Sequence, residues 1–455
     1  MLEDTIIAVS TAPGYGGLGV VRISGSQALT IANKMFKLKR AQKKIPPCHP
    51  VLGNVYNFEK KEPFETAYLT FFPAPHTYTA EDVVEFSCHG SPVILEEVVR
   101  LGILAGARHA THGEFTLRAY IHGRIDILQA EAIDDMIRAP SLALAKISFR
   151  QMEGGLSKKI HSLRKNLTHL LSQIEACIEF PDDGLKISSL TIGKTLNKAV
   201  TSVQALIESY AYGKTLAEGP NLAITGRTNV GKSTLFNALL NKDRAIVSPY
   251  PGTTRDYLIE RIAINGTTFT LIDMAGLDTP SHPIDKEGIK RGRRLASEAD
   301  GVLILLDASR PETPEDIGII NRYQDKKGLI LVNKIDLPRK MNMNTIRDHA
   351  PRHPLLGVSA LKGTNLELLK TKIAELFVID QDLGDDIILH LRQKLLLEDV
   401  RNALDRGLIL LKEGHPEDMY GEEIRRALPA IGQLMGEIRS DDVLADIFER
   451  FCIGK

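Results

Sequence analysis

Tryptophan is absent from this 455-residue sequence, aromatic residues make up only 5% of it, and there are only four cysteines. These cysteines are Cys48, Cys88, Cys177 and Cys452, and none of them has the paired spacing of metal ligands. The sequence therefore predicts reduced thiols and no disulfide framework. Basic and acidic residues both number 57, so no net charge attracts the whole chain to nucleic acid. Any contact with RNA must come from a local patch.

Long apolar runs are also missing, since none approaches the roughly 20 residues of a membrane span. The N-terminus carries acidic residues where a secretory signal needs basic ones. We therefore expect a cytoplasmic protein without a membrane partner. The chain is too long for one hydrophobic core, and typical domain sizes predict about three domains.

Hydrophobic periodicity divides the chain into four segments. Residues 1–120 alternate short apolar runs with turns rich in Gly and Pro, which is typical of a small α+β domain. Residues 121–217 and 381–455 have helical periodicity, and 218–380 alternates β-branched runs with stretches long enough for helices. The last pattern predicts a mostly parallel sheet covered on both faces. We expect the two helical segments to pack together as one discontinuous domain.

Two local patterns refine this reading. Apolar residues recur at three- and four-residue intervals from Leu156 to Cys177, which predicts a long helix that PDDG at 181–184 ends. Asn265-Gly266 lies between two strand-like runs and indicates a hairpin, so one edge pair of the sheet should be antiparallel.

The strongest motif is GRTNVGKS, which follows the strand-like LAIT and precedes the helical run TLFNALL. Its glycines allow backbone N–H groups to surround phosphates at a helix N-terminus, Lys232 reaches the terminal phosphates, and Ser233 ligates Mg²⁺. The motif predicts a P-loop whose nucleotide-binding residues are Asn229, Val230, Gly231, Lys232, Ser233 and Thr234.

Base recognition is predicted at NKID, which also follows a strand and supplies Asn333, Lys334 and Asp336. A carboxylate at Asp336 can accept both N–H groups on the guanine edge, whereas adenine offers no such pair of donors. Ser359, Ala360 and Leu361 follow the last short strand and would cover the base.

Two further segments complete the predicted nucleotide site. Asp273 ends the strand FTLID, where an outer-sphere carboxylate can reach Mg²⁺, and Gly276 can reach the γ-phosphate. Thr254 lies in a turn-rich segment that could order around the nucleotide and complete the Mg²⁺ shell. Leu277 stands where Ras-type GTPases have the glutamine that orients water, so hydrolysis needs another arrangement. Together the motifs predict a multidomain α/β plus α fold, in which a P-loop GTPase domain is inserted in a helical domain and follows a small α+β domain.

The whole chain resembles the MnmE (TrmE) family of tRNA-modification GTPases. The most specific segments are DTIIAVSTAPGYGGLGVVRISG, GEFTLRAYIHGRIDILQAEAIDDMI and the terminal FCIGK. The resemblance implies a homodimer whose N-terminal domain binds folate. It also implies a partner, the flavoprotein MnmG with its FAD, and addition of an aminomethyl or carboxymethylaminomethyl group at carbon 5 of the wobble uridine of certain tRNAs. A tetrahydrofolate derivative, 5-formyl or methylene, would supply the carbon.

The resemblance also implies that K⁺ takes the place of an arginine finger and promotes dimerisation of the G domains. Asn229 matches the family's K⁺-binding asparagine, and Ser248, Tyr250 and Thr253 would supply further ligands. Ser248 and Thr253 would also line the nucleotide site. A cation beside the β- and γ-phosphates stabilises charge that develops in the transfer. The alternative is that Asn229 only shapes the loop.

The catalytic acid departs from the family pattern, because Asp285 stands where a Glu that orients water is expected. The aspartate side chain is one methylene shorter than glutamate. Three alternatives follow: the segment lies closer to the nucleotide, Glu287 takes the role of Asp285, or hydrolysis is slower. A solvated acid at a helix start is an equally good reading of Asp285 alone.

For the folate site, the resemblance implies Arg22, Glu85, Arg124 and Lys455 as ligands, with Cys452 placed nearby. Cations suit a glutamate tail, and an acid suits the pterin's amino edge. Without the resemblance these residues would be read as solvated charges and Cys452 as an inert thiol.

Two other functions remain open from the residues alone. One is a GTP-dependent switch in RNA binding or ribosome assembly, although the segment after the G domain is helical and lacks a basic GxxG loop. The other is a regulatory GTPase whose N-terminal domain binds a small metabolite.

Overall fold

A computed structural model describes residues 4–39, 45–180, 186–243, 259–264, 267–273, 299–377, 387–437, 444, 447–449 and 451–455. The chain forms two compact units. The first contains Met1–Ile137, Ser148–Gln204 and Leu395–Lys455, and the second contains Arg138–Ile147 and Ala205–Lys394.

The first unit holds a seven-stranded sheet in the order β3-β4-β5-β6-β2-β1-β7. Its strands are β1 (Ile6–Val9), β2 (Gly16–Ser24), β3 (Phe36–Leu38), β4 (Val51–Asn57), β5 (Glu62–Phe72), β6 (Val83–Gly90) and β7 (Arg108–His109). Neighbours are antiparallel except β1 and β7, which are parallel. Alternate residues of β4 are buried, as expected for a sheet with one face on the core.

Helices follow the predicted periodicity. In chain order the described residues contain α1 (Ala28–Met35), α2 (Pro92–Leu104), α3 (Glu114–Ile121), α4 (Ile127–Arg138), α5 (Leu142–Met152), α6 (Gly155–Glu179), α7 (Ser189–Glu218), α8 (Lys232–Asp243), α9 (Pro314–Arg322), α10 (Met343–His349), α11 (Leu366–Leu376), α12 (Leu391–Lys412) and α13 (Glu417–Met435). None of these helices is long and apolar enough to cross a membrane.

Helix α6 is the long helix predicted from its apolar spacing, and its buried face includes Leu156, Ile160, Leu167 and Ile174. The predicted terminating residues 181–184 lie outside the described residues. Helix α13 packs against α6, and a Cβ placed on its Gly421 would lie 3.4 Å from the Ile174 side chain. The helical segments before and after the G domain therefore contact each other.

The second unit holds a six-stranded sheet in the order β13-β12-β11-β8-β10-β9. Its strands are β8 (Asn221–Thr225), β9 (Ile259–Ile264), β10 (Thr267–Asp273), β11 (Gly301–Asp307), β12 (Lys327–Asn333) and β13 (Leu355–Gly357). All neighbours are parallel except β9 and β10, which confirms the predicted antiparallel edge pair. The hairpin turn itself, Asn265-Gly266, lies outside the described residues.

Every residue of β11 is buried, as a strand covered on both faces requires. Because β8, β10, β11 and β12 run in the same direction, Thr225, Asp273, Asp307 and Asn333 end at one edge of the sheet. The chain thus has the predicted multidomain α/β plus α fold, with the α/β domain inserted between helical segments.

Candidate nucleotide and folate sites

The phosphate loop connects β8 to α8 and depends on glycine at both ends. Gly226 and Gly231 have φ angles of 146° and 105°, which favour glycine. A Cβ on Gly226 would lie 2.4 Å from the carbonyl oxygen of Leu305, and one on Gly231 would lie 2.4 Å from Nδ2 of Asn333. Neither position has room for a side chain. The loop therefore brings its backbone N–H groups to the start of α8, where helix geometry favours an anion.

Lys232 and Ser233 begin α8 and face the loop. The Lys232 ammonium group donates to the carbonyls of Gly226 and Arg227 at 2.7 and 2.9 Å. The Ser233 hydroxyl donates to a carboxylate oxygen of Asp273 at 3.2 Å. Asp273 is buried at the end of β10. A hydroxyl and a carboxylate meet here, and such oxygens are the ligands that Mg²⁺ prefers.

Asn333 joins the two predicted recognition loops. Its amide donates to the carbonyl of Val230 at 2.8 Å, and its side-chain oxygen accepts from the N–H of Ala360 at 3.0 Å. Only 2% of Asn333 is exposed, so both hydrogen bonds form away from water. The phosphate loop and the Ser359–Leu361 segment are thus held by one side chain.

Lys334 has a left-handed backbone, with φ of 64°. Its ammonium group donates to the carbonyl of Asn229 at 2.8 Å and to a carboxylate oxygen of Asp307 at 2.7 Å. Burial would raise the pKa of Asp307, but hydrogen bonds from Lys334 and Ser309 hold it below its ordinary value. The sequence motifs did not identify Asp307. Its signal is weak, because it is an ordinary aspartate at the end of a strand.

Asp336 accepts a hydrogen bond from the Ser359 hydroxyl at 2.6 Å, and this bond lowers the pKa of Asp336. The Ser359 hydroxyl also accepts from the N–H of Lys362 at 3.2 Å. Leu361 is 75% exposed beside them. The predicted base-recognition residues are therefore brought together, and the carboxylate of Asp336 is oriented by a fixed donor.

Several predicted site residues fall outside the described residues. They are Ser248, Tyr250, Thr253, Thr254, Gly276 and Asp285, with the alternative Glu287. The described part of the predicted site brings together the phosphate loop from Asn229 to Ser233, Asp273, the NKID residues and Ser359–Leu361. Thr234 follows on α8 and is exposed.

In the first unit, Arg22 and Glu85 face each other across β2 and β6 in direct register. Nε of Arg22 donates to Oε1 of Glu85 at 2.9 Å, and Nη2 forms an ion pair with the same oxygen at 2.8 Å. It also lies 5.7 Å from the ring centroids of both Tyr78 and Phe115. Arg22 is therefore held by a carboxylate and two aromatic faces. The sequence motifs did not predict these two rings, which are distant from Arg22 in the chain.

The C-terminal residues lie against the same region. The Ser10 hydroxyl donates to the carbonyl of Gly454 at 3.0 Å, and His112 pairs with Ile453 in an isolated β-bridge. Burial lowers the pKa of Lys455, and the nearby positive charge of Arg22 lowers it further. Glu85 and Cys452 act on it in the opposite direction. Four predicted residues, Arg22, Glu85, Lys455 and Cys452, thus share one neighbourhood.

Arg124 is placed differently. It lines a cavity of about 390 Å³ with Tyr120, Asp126 and His161. In the described residues no hydrogen bond or ion pair joins Arg124 to Arg22, Glu85 or Lys455. The structure brings three of the four predicted folate ligands together, and Arg124 of the same unit lines the cavity just described.

Comparison with known proteins identifies the family of this chain. Residues 5–124 match the profile of the GTP-binding protein TrmE N-terminus, and residues 127–452 match that of the MnmE helical domain. A protein of Ligilactobacillus salivarius named tRNA modification GTPase MnmE is 38% identical and aligns with 99% of this chain and 98% of its own length. Proteins of the same name from Alkaliphilus metalliredigens and Aquifex aeolicus are each 36% identical, and both alignments cover 100% of each chain. The chain therefore belongs to the MnmE (TrmE) family.

Proposed function

We propose that the chain is an enzyme that hydrolyses GTP and acts in tRNA modification. The observation that carries the GTPase part is the pair of hydrogen bonds by which the Asn333 side chain donates to Val230 and accepts from Ala360, because one residue then positions both the phosphate loop and the base-binding segment. The carboxylate of Asp336 selects guanine by accepting hydrogen bonds from the two N–H groups of the base. The Ser359 hydroxyl orients this carboxylate. The tRNA part rests on membership of a family whose relatives carry that function in their names.

Magnesium would be held by Ser233, with Asp273 in its outer shell and Thr254 as a further ligand. The 3.2 Å contact between Ser233 and Asp273 fits this role, because it gathers two oxygen donors at the start of α8. When bound there, Mg²⁺ would neutralise phosphate charge. Lys232 stabilises the same charge from the other side of the loop. Gly276 would approach the γ-phosphate.

Potassium is proposed as the second cation of this site, bound by Asn229, Ser248, Tyr250 and Thr253. Asn229 has a left-handed backbone within the loop, and its carbonyl is already held by Lys334. Asp285, or Glu287 in its place, would orient the attacking water. Equal rates of hydrolysis in K⁺ and Na⁺ would contradict the K⁺ assignment.

The modification chemistry is proposed from the family and from the cluster around Arg22. A tetrahydrofolate derivative would bind Arg22, Glu85, Lys455 and Arg124, with Cys452 near the transferred carbon. A charged cluster with aromatic walls suits a ligand that has a flat pterin and an anionic tail. A cytoplasmic homodimer would work with MnmG and its FAD on the wobble uridine of certain tRNAs.

Two measurements test these parts separately. Calorimetry with Mg²⁺ should detect binding of GTP and GDP and much weaker binding of ATP, and equal affinity for adenosine nucleotides would remove the GTPase proposal. Nucleoside analysis of tRNA from cells that lack the protein should show loss of the wobble-uridine modification. Unchanged nucleosides together with normal GTP binding would instead favour a GTP-dependent RNA-binding switch.

A further inference from the structure

Helix α6 carries charge of one sign from Gly155 to Ile174, although the chain as a whole is balanced. No Asp or Glu occurs between Gly155 and Ile174. The same stretch contains the cations Lys158, Lys159, Arg164 and Lys165 and two histidines, His161 and His169. At 3.6 residues per turn, Lys158, His161, Lys165 and His169 share one face of the helix, and all four are exposed. We call these four residues the basic stripe.

The basic stripe faces away from the core. The opposite face of α6 carries Ile160, Leu163 and Leu167, and all three are buried. Burial of that face fixes the rotation of the helix about its axis. The stripe therefore stays on the surface as a fixed row, which extends about 16 Å from Lys158 to His169 at 1.5 Å per residue.

Among the described residues, the lysines of the stripe have no acidic partner. Within the part of the chain that the structure describes, neither Lys158 nor Lys165 forms an ion pair or a side-chain hydrogen bond. Other cations of this region are paired. Arg164 forms an ion pair with Glu437, and Arg425 forms a second ion pair with Glu175 at 2.5 Å. The stripe thus keeps two uncompensated positive charges available for an anion.

The exposed residues of α6 favour a phosphate backbone over a protein surface. Between Phe149 and Ile178, the described residues include no large hydrophobic side chain that is exposed. A specific protein interface needs such apolar or aromatic anchors at its centre. Along α6 itself the exposed residues beside the stripe include the hydrogen-bond donors Ser162, Asn166 and Ser172. Cations interspersed with hydroxyl and amide donors are the groups that contact phosphate oxygens.

We propose that the basic stripe of α6 binds the phosphate backbone of the tRNA substrate. This inference rests on the proposed function, which supplies the RNA, and it assigns the RNA to a helix face outside the nucleotide site. Because phosphate contacts are independent of sequence, the stripe positions tRNA and does not select among tRNAs.

The test uses the full chain and an unmodified tRNA transcript with a fluorescent label. Affinity is measured by anisotropy over a range of KCl concentrations for the parent and for the Lys158→Gln, Lys165→Gln double variant. Loss of two phosphate contacts should weaken binding about tenfold near 0.1 M salt. The slope of log K against log salt should fall by about two.

Three controls separate loss of charge from loss of structure. Lys158→Arg with Lys165→Arg keeps the charge and should bind like the parent. Lys60→Gln with Lys61→Gln removes two exposed lysines of the same unit that are flanked by Glu59 and Glu62, and it should leave the affinity unchanged. GTP hydrolysis and the thermal midpoint should be equal in all variants, because α6 lies outside the nucleotide site.

Each other outcome overturns the assignment. Equal affinity and equal salt slope for the parent and the Gln variant would show that tRNA does not contact the stripe. Weaker binding of purified MnmG with unchanged tRNA affinity would identify an acidic protein surface as the occupant. Failure of the parent itself to bind tRNA would remove the proposed tRNA function as well, whereas GTP hydrolysis would be unaffected.

Discussion

The side chain of Asn333 donates a 2.8 Å hydrogen bond to the carbonyl of Val230, which is 103 residues earlier in the chain. Gly231 follows directly, and a Cβ there would lie 2.4 Å from the donating nitrogen. The asparagine and the glycine therefore fit each other, and the phosphate loop depends on both.

Gly231→Ala should displace Asn333 and distort the phosphate loop. The displacement and the unfavourable φ of 105° together should cost about 1–3 kcal/mol. We expect GTP affinity to fall at least about tenfold, as measured by calorimetry. Gly106→Ala is the matched control, because Gly106 has a φ of 120° with no atom within 4 Å of its added Cβ. If both variants bind GTP like the parent, the loop does not need Gly231.

Asp336→Asn should reverse the preference for guanine. The asparagine side chain has an N–H₂ group in place of one carboxylate oxygen. This donor would face the N–H donors of guanine, so one hydrogen bond to the base is lost. We expect GTP affinity to fall about 100-fold or more, with tighter binding of xanthosine triphosphate, whose edge offers an acceptor there. Asp348→Asn changes an exposed acid of the same unit and should leave both affinities unchanged. Undiminished GTP binding by Asp336→Asn would remove the base assignment.

Asp307→Asn tests the positioning of Lys334. The substitution removes the charge that accepts the 2.7 Å hydrogen bond from Lys334, so the lysine should lose its fixed position beside the phosphate loop. We expect the KM for GTP to rise about three- to tenfold with kcat within about twofold, because Asp307 contacts no reacting atom. Steady-state kinetics measure this split. A fall in kcat at constant KM would contradict a positioning role.

Asp325→Asn provides the comparison for that experiment. Asp325 also pairs with a cation, Arg352, but both side chains are about four-fifths exposed at the surface. Surface pairs contribute little, so its kinetics should match those of the parent.

The nucleotide site was predictable because its motifs lie at strand ends. Asp273 and Asn333 end parallel strands, and parallel strands end at one edge of a sheet, so sequence order placed both near the P-loop. The antiparallel pair β9 and β10 was predictable for a similar local reason, since a two-residue turn leaves no other simple connection.

Contacts that depend on tertiary packing were not predictable. Asp307 contacts Lys334 because β11 and β12 are neighbours, and no spacing in the sequence encodes that register. The rings of Tyr78 and Phe115 meet at Arg22 from different parts of the chain. The cavity that Arg124 lines with Asp126 and His161 also depends on the packing of helices. The family resemblance identified the candidate folate ligands, but it did not predict the distances between them.

Glu114 forms the centre of a buried ion network at the start of α3. It accepts hydrogen bonds from Arg108 at 2.5 Å, from Arg118 at 3.0 Å and from the N–H of Thr111 at 2.9 Å. Burial alone would raise the pKa of Glu114, but these donors lower it to about 2. Arg118 is 1% exposed, and its charge depends on this carboxylate and on Asp4 and Glu81.

The network predicts a defined dependence of stability on pH. Because the folded pKa of Glu114 is about 2 and its ordinary value is 4.5, its contribution is complete above about pH 4.5 and is lost as pH falls toward 2. Glu114→Gln should lower the free energy of unfolding at pH 7 by up to about 3 kcal/mol and should flatten its decline below pH 4.5. Urea denaturation of the parent, Glu114→Gln and the exposed control Glu59→Gln measures this. The Glu59→Gln variant should keep the pH profile of the parent, because Glu59 pairs with Arg100 at the surface. Parallel pH profiles for the parent and Glu114→Gln would show that the Glu114 carboxylate contributes no pH-linked stability.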